Sequence, residues 1–223
     1  MLETYLQDLA EVVNLDCGSA NCEGVTKVAN IMKSHFDSIG FATELVDLGP
    51  KAGKGLFATN KPGAEKFDIM FNAHLDTVFP DGTAAARPFK VEDGKVTGPG
   101  CADCKAGVIA IFHALKNARK EDLDRLAIAV CYNPDEEISS LSSREWLQQM
   151  ASKCKRAIVC EPGRATVPSF VPARVAPFGT WSCTVWPLTP AITRRTAAAR
   201  FWLPLTSQSP SPTSRTSKAR ARA

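Results

Sequence analysis

Nine of the fifteen prolines and none of the 23 acidic residues lie in the 62 residues from 162 to 223. Each proline removes a backbone donor and fixes φ, so this stretch cannot sustain long helices or central strands. A folded core must come from residues 1–161, which hold 18 Lys/Arg against all 23 Asp/Glu, a net of −5. The tail carries 9 Lys/Arg and no acid, so the formal +4 of the chain sums two unlike parts. Beyond about Leu205 the segment SQSPSPTSRTSKARARA has low complexity and predicts disorder.

The first part alternates between two hydrophobic periods. Leu2, Leu6, Leu9, Val12 and Val13 recur at helical spacing, as do Val25, Val28, Ala29, Met32, Phe36 and Ile39 before a stop at Gly40. Strand-like runs follow at 41–48, 55–60 and 67–76, and FKVEDGKVTG predicts a hairpin around Asp93-Gly94. Val108, Ile109, Phe112 and Leu115 place a helix within 106–120. LAIAVCY (126–132) reads as a strand buried on both faces, followed by a helix over about 140–152 and a strand at 156–160. The pattern predicts an α/β fold, with ligands where strands end.

No apolar run approaches the roughly 18 residues of a membrane-spanning helix. The N-terminus MLETYLQDLAEVV lacks the basic-then-apolar order of a secretory leader. The eight cysteines match no compact disulfide framework, which predicts reduced thiols and a cytoplasmic location.

Candidate chemistry clusters at four predicted strand ends: His74-Leu75-Asp76, Asp103 in GPGCADCKAG, Asp135-Glu136-Glu137, and Glu161 in CEPGR. Carboxylates converging on one place raise one another's pKa unless a cation neutralises them. An imidazole with carboxylates suits zinc or a similar divalent ion, and one carboxylate can bridge two such ions about 3.5–4 Å apart. Asp76, two residues after His74 on a strand, points the same way and could hold the ring. Each motif also has a plainer reading. A lone HxD is usually a surface pair and DEE a solvated helix start; Cys101-Ala-Asp-Cys104 invites a zinc-ribbon or redox reading, but a ribbon needs a second such pair, and these cysteines read as local substitutions flanking Asp103. His35 and His113 read as structural.

In order and at similar intervals, AHLDTVFP, GPGCADCKAG, NPDEEISS and CEPGR resemble the zinc aminoacylase and carboxypeptidase family. That family includes acetylornithine deacetylase, succinyl-diaminopimelate desuccinylase and glutamate carboxypeptidase. The resemblance runs from about residue 5 to about 185 and looks closest to the glutamate carboxypeptidase branch, partly through Glu161. It implies a mixed sheet flanked by helices, the catalytic domain of a di-zinc exopeptidase, here incomplete and followed by an irregular tail. It also implies two Zn²⁺ per subunit, with cobalt or manganese as alternatives. Carried over, His74 binds one ion, Asp103 bridges both, Glu137 binds the second and Glu161 completes the first shell. Glu136 is the general base that activates water and returns the proton to the leaving amine, and Asp76 orients His74. The implied substrate is a small peptide or N-acyl amino acid, hydrolysed to release a C-terminal glutamate or similar residue, in a homodimer.

The family's further parts are not visible here. It uses a second metal-binding His near its C-terminus and an oxyanion-stabilising His in an AHAG-type motif of an inserted dimerisation domain. This chain has three histidines, none after His113. We therefore expect 1–164 to be the N-terminal part of the catalytic domain, 165–185 a remnant of the dimerisation domain's start, and 186–223 an out-of-family tail. From Trp186, whose codon is TGG, a two-base shift with standard codons spells AAHAGNNPEDGRSAIL, the expected family segment. A frameshift near residue 185 accounts for the composition of the tail. On this reading the chain is impaired, since losing one oxyanion donor costs about 10²–10³ in rate. The alternatives are a non-catalytic metal-binding remnant or a basic nucleic-acid arm, the latter disfavoured because the frame argument already explains the Lys/Arg content.

Overall fold

The computed structural model describes residues 2–163, and the expectations for residues 165–185 and 186–223 lie outside the described residues. Two helices open the chain, α1 (Leu2–Val13) and α2 (Cys22–Ser38). Asn21 caps α2 by accepting the Gly24 N–H at 2.8 Å, a contact worth about 1 kcal/mol, and Gly40 ends it with φ +80°. Then come β1 (Ala42–Val46), β2 (Gly55–Thr59), β3 (Ile69–His74), the short α3 (Thr83–Ala86), β4 (Lys90–Glu92) and β5 (Lys95–Thr97). After an irregular turn at Cys101–Lys105 follow α4 (Ala106–Lys116), α5 (Lys120–Arg125), β6 (Ile128–Asn133), α6 (Arg144–Ser152) and β7 (Ala157–Val159).

The main sheet has the order β1-β2-β6-β3-β7. β1 and β2 pair antiparallel, β2 and β6 antiparallel, and β6, β3 and β7 run parallel. β6 lies at the centre with every residue buried, as its unbroken apolar run predicts. The apolar faces of α1, α2 and α4 form one core with this sheet through Val12, Val28, Met32, Phe36, Ile109 and Phe112. A second, smaller cluster joins Met70, Ala129 and Cys131 to Met150 and Ala151 of α6. The sheet is thus mixed and flanked by helices, as the sequence pattern implies.

β4 and β5 form the separate hairpin read from Asp93-Gly94, whose φ values of 51° and 70° suit a tight primed turn. Three local features differ from the sequence expectation. The helix within 106–120 stops at Lys116, and α5 begins a separate turn at Lys120. α6 begins at Arg144 rather than near 140, because Ser139 and Ser140 take left-handed φ of 71° and 51°. α3 has no apolar periodicity long enough to announce it. Among the described residues no helix is long and apolar enough to cross a membrane.

Candidate metal centre

Three neighbouring parallel strands end on the same side of the sheet. His74 closes β3 opposite Asn133, the last residue of β6, and Asn72 pairs with Val159, the last of β7. The loops that follow carry Asp76, Glu136 with Glu137, and Glu161. Asp103 arrives from the turn before α4, where it is extended (φ −116°, ψ 99°) rather than helical. α4 closes on this face through Gly107, whose missing Cβ would lie 2.0 Å from the Cys160 carbonyl oxygen. Only glycine allows the helix and the end of β7 to meet there.

These placements bring the predicted ligands together. His74 Nε2 lies 3.0 Å from Asp103 Oδ1, 3.6 Å from Glu161 Oε1 and 3.9 Å from Glu136 Oε2. Ligand atoms of His74, Asp103 and Glu137 fall within 4.8 Å of one another. The opposite ring nitrogen, Nδ1, faces Asp76, at 3.0 Å from its carbonyl oxygen and 3.2 Å from Oδ1. With Nδ1 donating in that contact, loss of the Nε2 proton would turn a lone pair toward the carboxylates.

Asp76 is fully buried and occupied on every side. Its carboxylate accepts the Ser19 hydroxyl at 2.6 Å and the backbone N–H groups of Glu136 (3.0 Å) and Glu137 (3.2 Å). A second buried carboxylate, Asp135, accepts the Ser142 N–H (2.6 Å), the Ser143 N–H (3.3 Å) and the Ser143 hydroxyl. The two aspartates pin the short 3₁₀ turn Glu136–Ile138 from either side, and its glutamate side chains stay partly accessible.

The electrostatics follow from crowding. Burial pushes the Glu137 and Glu161 carboxyls up to about 7, and their acidic neighbours, Asp103 and Glu136, add to the rise. Burial raises Glu136 as well. Asp103 is held below the usual carboxylate range by its hydrogen bond to His74. Burial alone would lower the His74 imidazole, but hydrogen bonds to Asp103 and Asp76 and the charge of Glu161 raise it well above its ordinary value. A hydrogen bond between Glu161 and Asp103 raises the former and lowers the latter. One imidazole and several carboxylates at these separations fit a divalent cation, which would compete with protons for them.

Sequence reasoning did not single out Ser19 and Lys105, which shape the centre, and weighed Cys104 only within a CxxC pair. Ser19 lies far away in the sequence, and only the fold brings its hydroxyl to Asp76. Lys105 is buried with its ammonium donating to the Leu15 carbonyl at 3.2 Å, which ties the Asp103 turn to the end of α1; its signal was a charge at the start of an apolar helix. Cys104 is fully buried, and its thiol joins His74 and Glu161 within 4.8 Å. His113 pairs with Asp8 at 2.8 Å, and the His35 ring packs 4.7 Å from that of Phe112.

Residues 70–215 match the family described as Peptidase family M20/M25/M40. Carboxypeptidase G2 of Pseudomonas sp. (strain RS-16) is 32% identical over 162 residues, covering 72% of this chain and 39% of that protein. Succinyl-diaminopimelate desuccinylase of Wolbachia pipientis wMel is 31% identical over 137 residues, covering 59% of this chain and 34% of that protein. The chain therefore spans well under half the length of these relatives. Among solved structures, human carnosine dipeptidase 1 superposes with a TM-score of 0.60 at 20% identity, over 70% of this chain and 38% of that one. The M20 family metallo-carboxypeptidase Sso-CP2 from Sulfolobus solfataricus gives 0.58 at 22% identity, over 71% of this chain and 37% of that one. At these identities the structural likeness speaks for the fold.

Proposed function

This chain belongs to peptidase family M20/M25/M40, and from that premise we propose that it is built for metal-dependent hydrolysis of an amide bond. Two divalent cations, one held by His74 and Glu161 and the other by Glu137, with Asp103 between them, would acidify water and polarise the scissile carbonyl. Zinc suits the nitrogen and oxygen donors best, with cobalt or manganese as alternatives.

The chain's own residues supply positioning and proton handling. Asp76 holds His74 through Nδ1, which keeps Nε2 directed at the carboxylates. Glu136 is the base. Its backbone is fixed by Asp76 at 3.0 Å, while its carboxyl stays partly exposed and is raised above the ordinary glutamate value by burial. A carboxylate with that character can take a proton from water and return it to a leaving amine near neutral pH. Partial burial of the other acids keeps bulk water from screening these charges.

The convergence of His74, Asp103 and Glu137 within 4.8 Å, from the end of β3 and two separate loops, carries this reading. For the substrate we propose a small peptide or N-acyl amino acid from which a C-terminal glutamate or similar residue is released. The Glu161 motif and the similarity to a carboxypeptidase support that choice.

The test uses the full chain, stripped of metal and reloaded with Zn²⁺. Glutamate release from N-acyl-glutamates is expected at a rate lowered by about 10²–10³ through the missing oxyanion donor, and Glu136→Gln should lower it by roughly a further 10²–10⁴ while bound zinc is unchanged. His74→Ala should lose zinc. Zinc retained with no turnover at any metal concentration would mark a non-catalytic metal-binding chain. Zinc binding unaffected by both His74→Ala and Glu137→Ala would remove the metal centre itself.

A further inference from the structure

Cys101 and Cys104 are a turn apart, yet their thiols go to different places. Cys101, half-buried, turns its Sγ toward the Val96 carbonyl at 3.8 Å, on the hairpin side. Cys104 is fully buried, and its Sγ donates to the Cys160 carbonyl at 3.1 Å, beside the strand end that leads to Glu161. Ligand atoms of His74, Cys104 and Glu161 all lie within 4.8 Å of one another. Asp103, next in sequence, reaches the same imidazole at 3.0 Å. The bond joining Asp103 and Cys104 is cis.

We propose that Cys104 is a thiolate ligand for the cation held by His74 and Glu161, which turns an all-nitrogen-and-oxygen site into one with a soft donor. The inference rests on the metal reading above and adds to it a ligand type and a metal preference. Ligation breaks the S–H bond. The proton passes to solvent, and the electron pair stays on sulfur and is donated to the cation, so nothing is oxidised or reduced. The hydrogen bond to Cys160 is given up, and the metal–sulfur bond replaces it. Imidazole nitrogen, thiolate sulfur and carboxylate oxygen are all donors that zinc takes. Sulfur also shifts selectivity toward zinc and cobalt and away from manganese, which prefers oxygen. A serine or aspartate at this position would not provide that bias.

Cobalt reports the bond directly. Metal-free full chain is titrated with Co²⁺ alone and its absorption recorded. The expected result is visible d–d bands together with a strong near-ultraviolet sulfur-to-cobalt charge-transfer band. Cys104→Ser should abolish the charge-transfer band and keep the d–d bands, while Cys101→Ser should keep both. The preference for Zn²⁺ over Mn²⁺ should fall about tenfold or more in Cys104→Ser. Circular dichroism establishes that the variant is folded. If it is not, X-ray absorption of the unmutated chain with one equivalent of Zn²⁺ decides, with a sulfur neighbour expected at about 2.3 Å. Charge transfer that persists in folded Cys104→Ser, or a zinc shell of nitrogen and oxygen alone, overturns the ligand assignment and leaves the metal centre standing. Absence of d–d bands in the unmutated chain overturns both.

Discussion

The backbone N–H of Glu136 donates to Oδ1 of Asp76 at 3.0 Å, and the same oxygen lies 3.2 Å from Nδ1 of His74. One buried carboxylate therefore sets the direction of the imidazole proposed as a metal ligand and the position of the proposed base. An amide in its place can satisfy only some of these donors, since its NH₂ would face an N–H. Asp76→Asn is expected to weaken zinc binding by about 10–100-fold, read by competition with a chelator. It should also cost about 1–3 kcal/mol in denaturant unfolding. Unchanged affinity would mean that the ring needs no partner at Nδ1.

If the centre binds a cation, binding should release protons. Burial and acidic neighbours push Glu137 and Glu161 up to about 7, against 4.5 for an unperturbed glutamate. Between those values the folded chain holds more protons than the unfolded one, so stability falls as pH rises from 4.5 to about 7. The raised His74 acts in the same direction, because its contribution is present below 6.5 and is lost as pH climbs through its folded value. A bound divalent cation should flatten this fall. Near pH 6, on the order of one proton or more should leave per zinc bound, measured by calorimetry in buffers of different ionisation enthalpy. No buffer dependence would show that the ligands are already deprotonated.

Much of this arrangement was legible before the fold was known. The wholly apolar run of β6 marked a central strand, and the alternation of helical and strand periods placed His74, Glu136, Glu137 and Glu161 at strand ends. What was not legible depends on tertiary contact. Ser19 carries no local mark of its bond to Asp76, 57 positions away. The left-handed Ser139 and Ser140 follow from Asp135 gathering the loop around itself, not from any glycine. Cys101 and Cys104 look equivalent as a CxxC pair, and only the extended backbone at Asp103 sends one thiol to the hairpin and the other to the imidazole.

The proposed change of reading frame near residue 185 makes a prediction about nucleic acid rather than protein. Resequencing codons 160–200 should show that a two-base offset after Trp186 spells AAHAGNNPEDGRSAIL. Only the first base of each new codon derives from a degenerate third position, so the match is a demanding one. A confirmed frame whose offset reading departs from that segment would refute the proposal, and the basic tail would then need its own explanation.

Gly107 couples the packing of α4 to the position of Glu161. A Cβ there would lie 2.0 Å from the Cys160 carbonyl oxygen and 3.2 Å from the Cys104 sulfur. Cys160 cannot retreat freely, because its N–H donates to the Asn72 carbonyl at 2.8 Å and continues the β3–β7 ladder. Gly107→Ala must therefore push the end of β7 aside and carry Glu161 with it. The expected cost is about 1–3 kcal/mol in thermal unfolding, with zinc affinity lower by about tenfold. Gly63→Ala is the matched control. Its φ is +83° with nothing within 4 Å of the added carbon, so backbone strain of about 1–2 kcal/mol should appear without any loss of zinc. Equal zinc affinity in the two variants would show that α4 does not position Glu161.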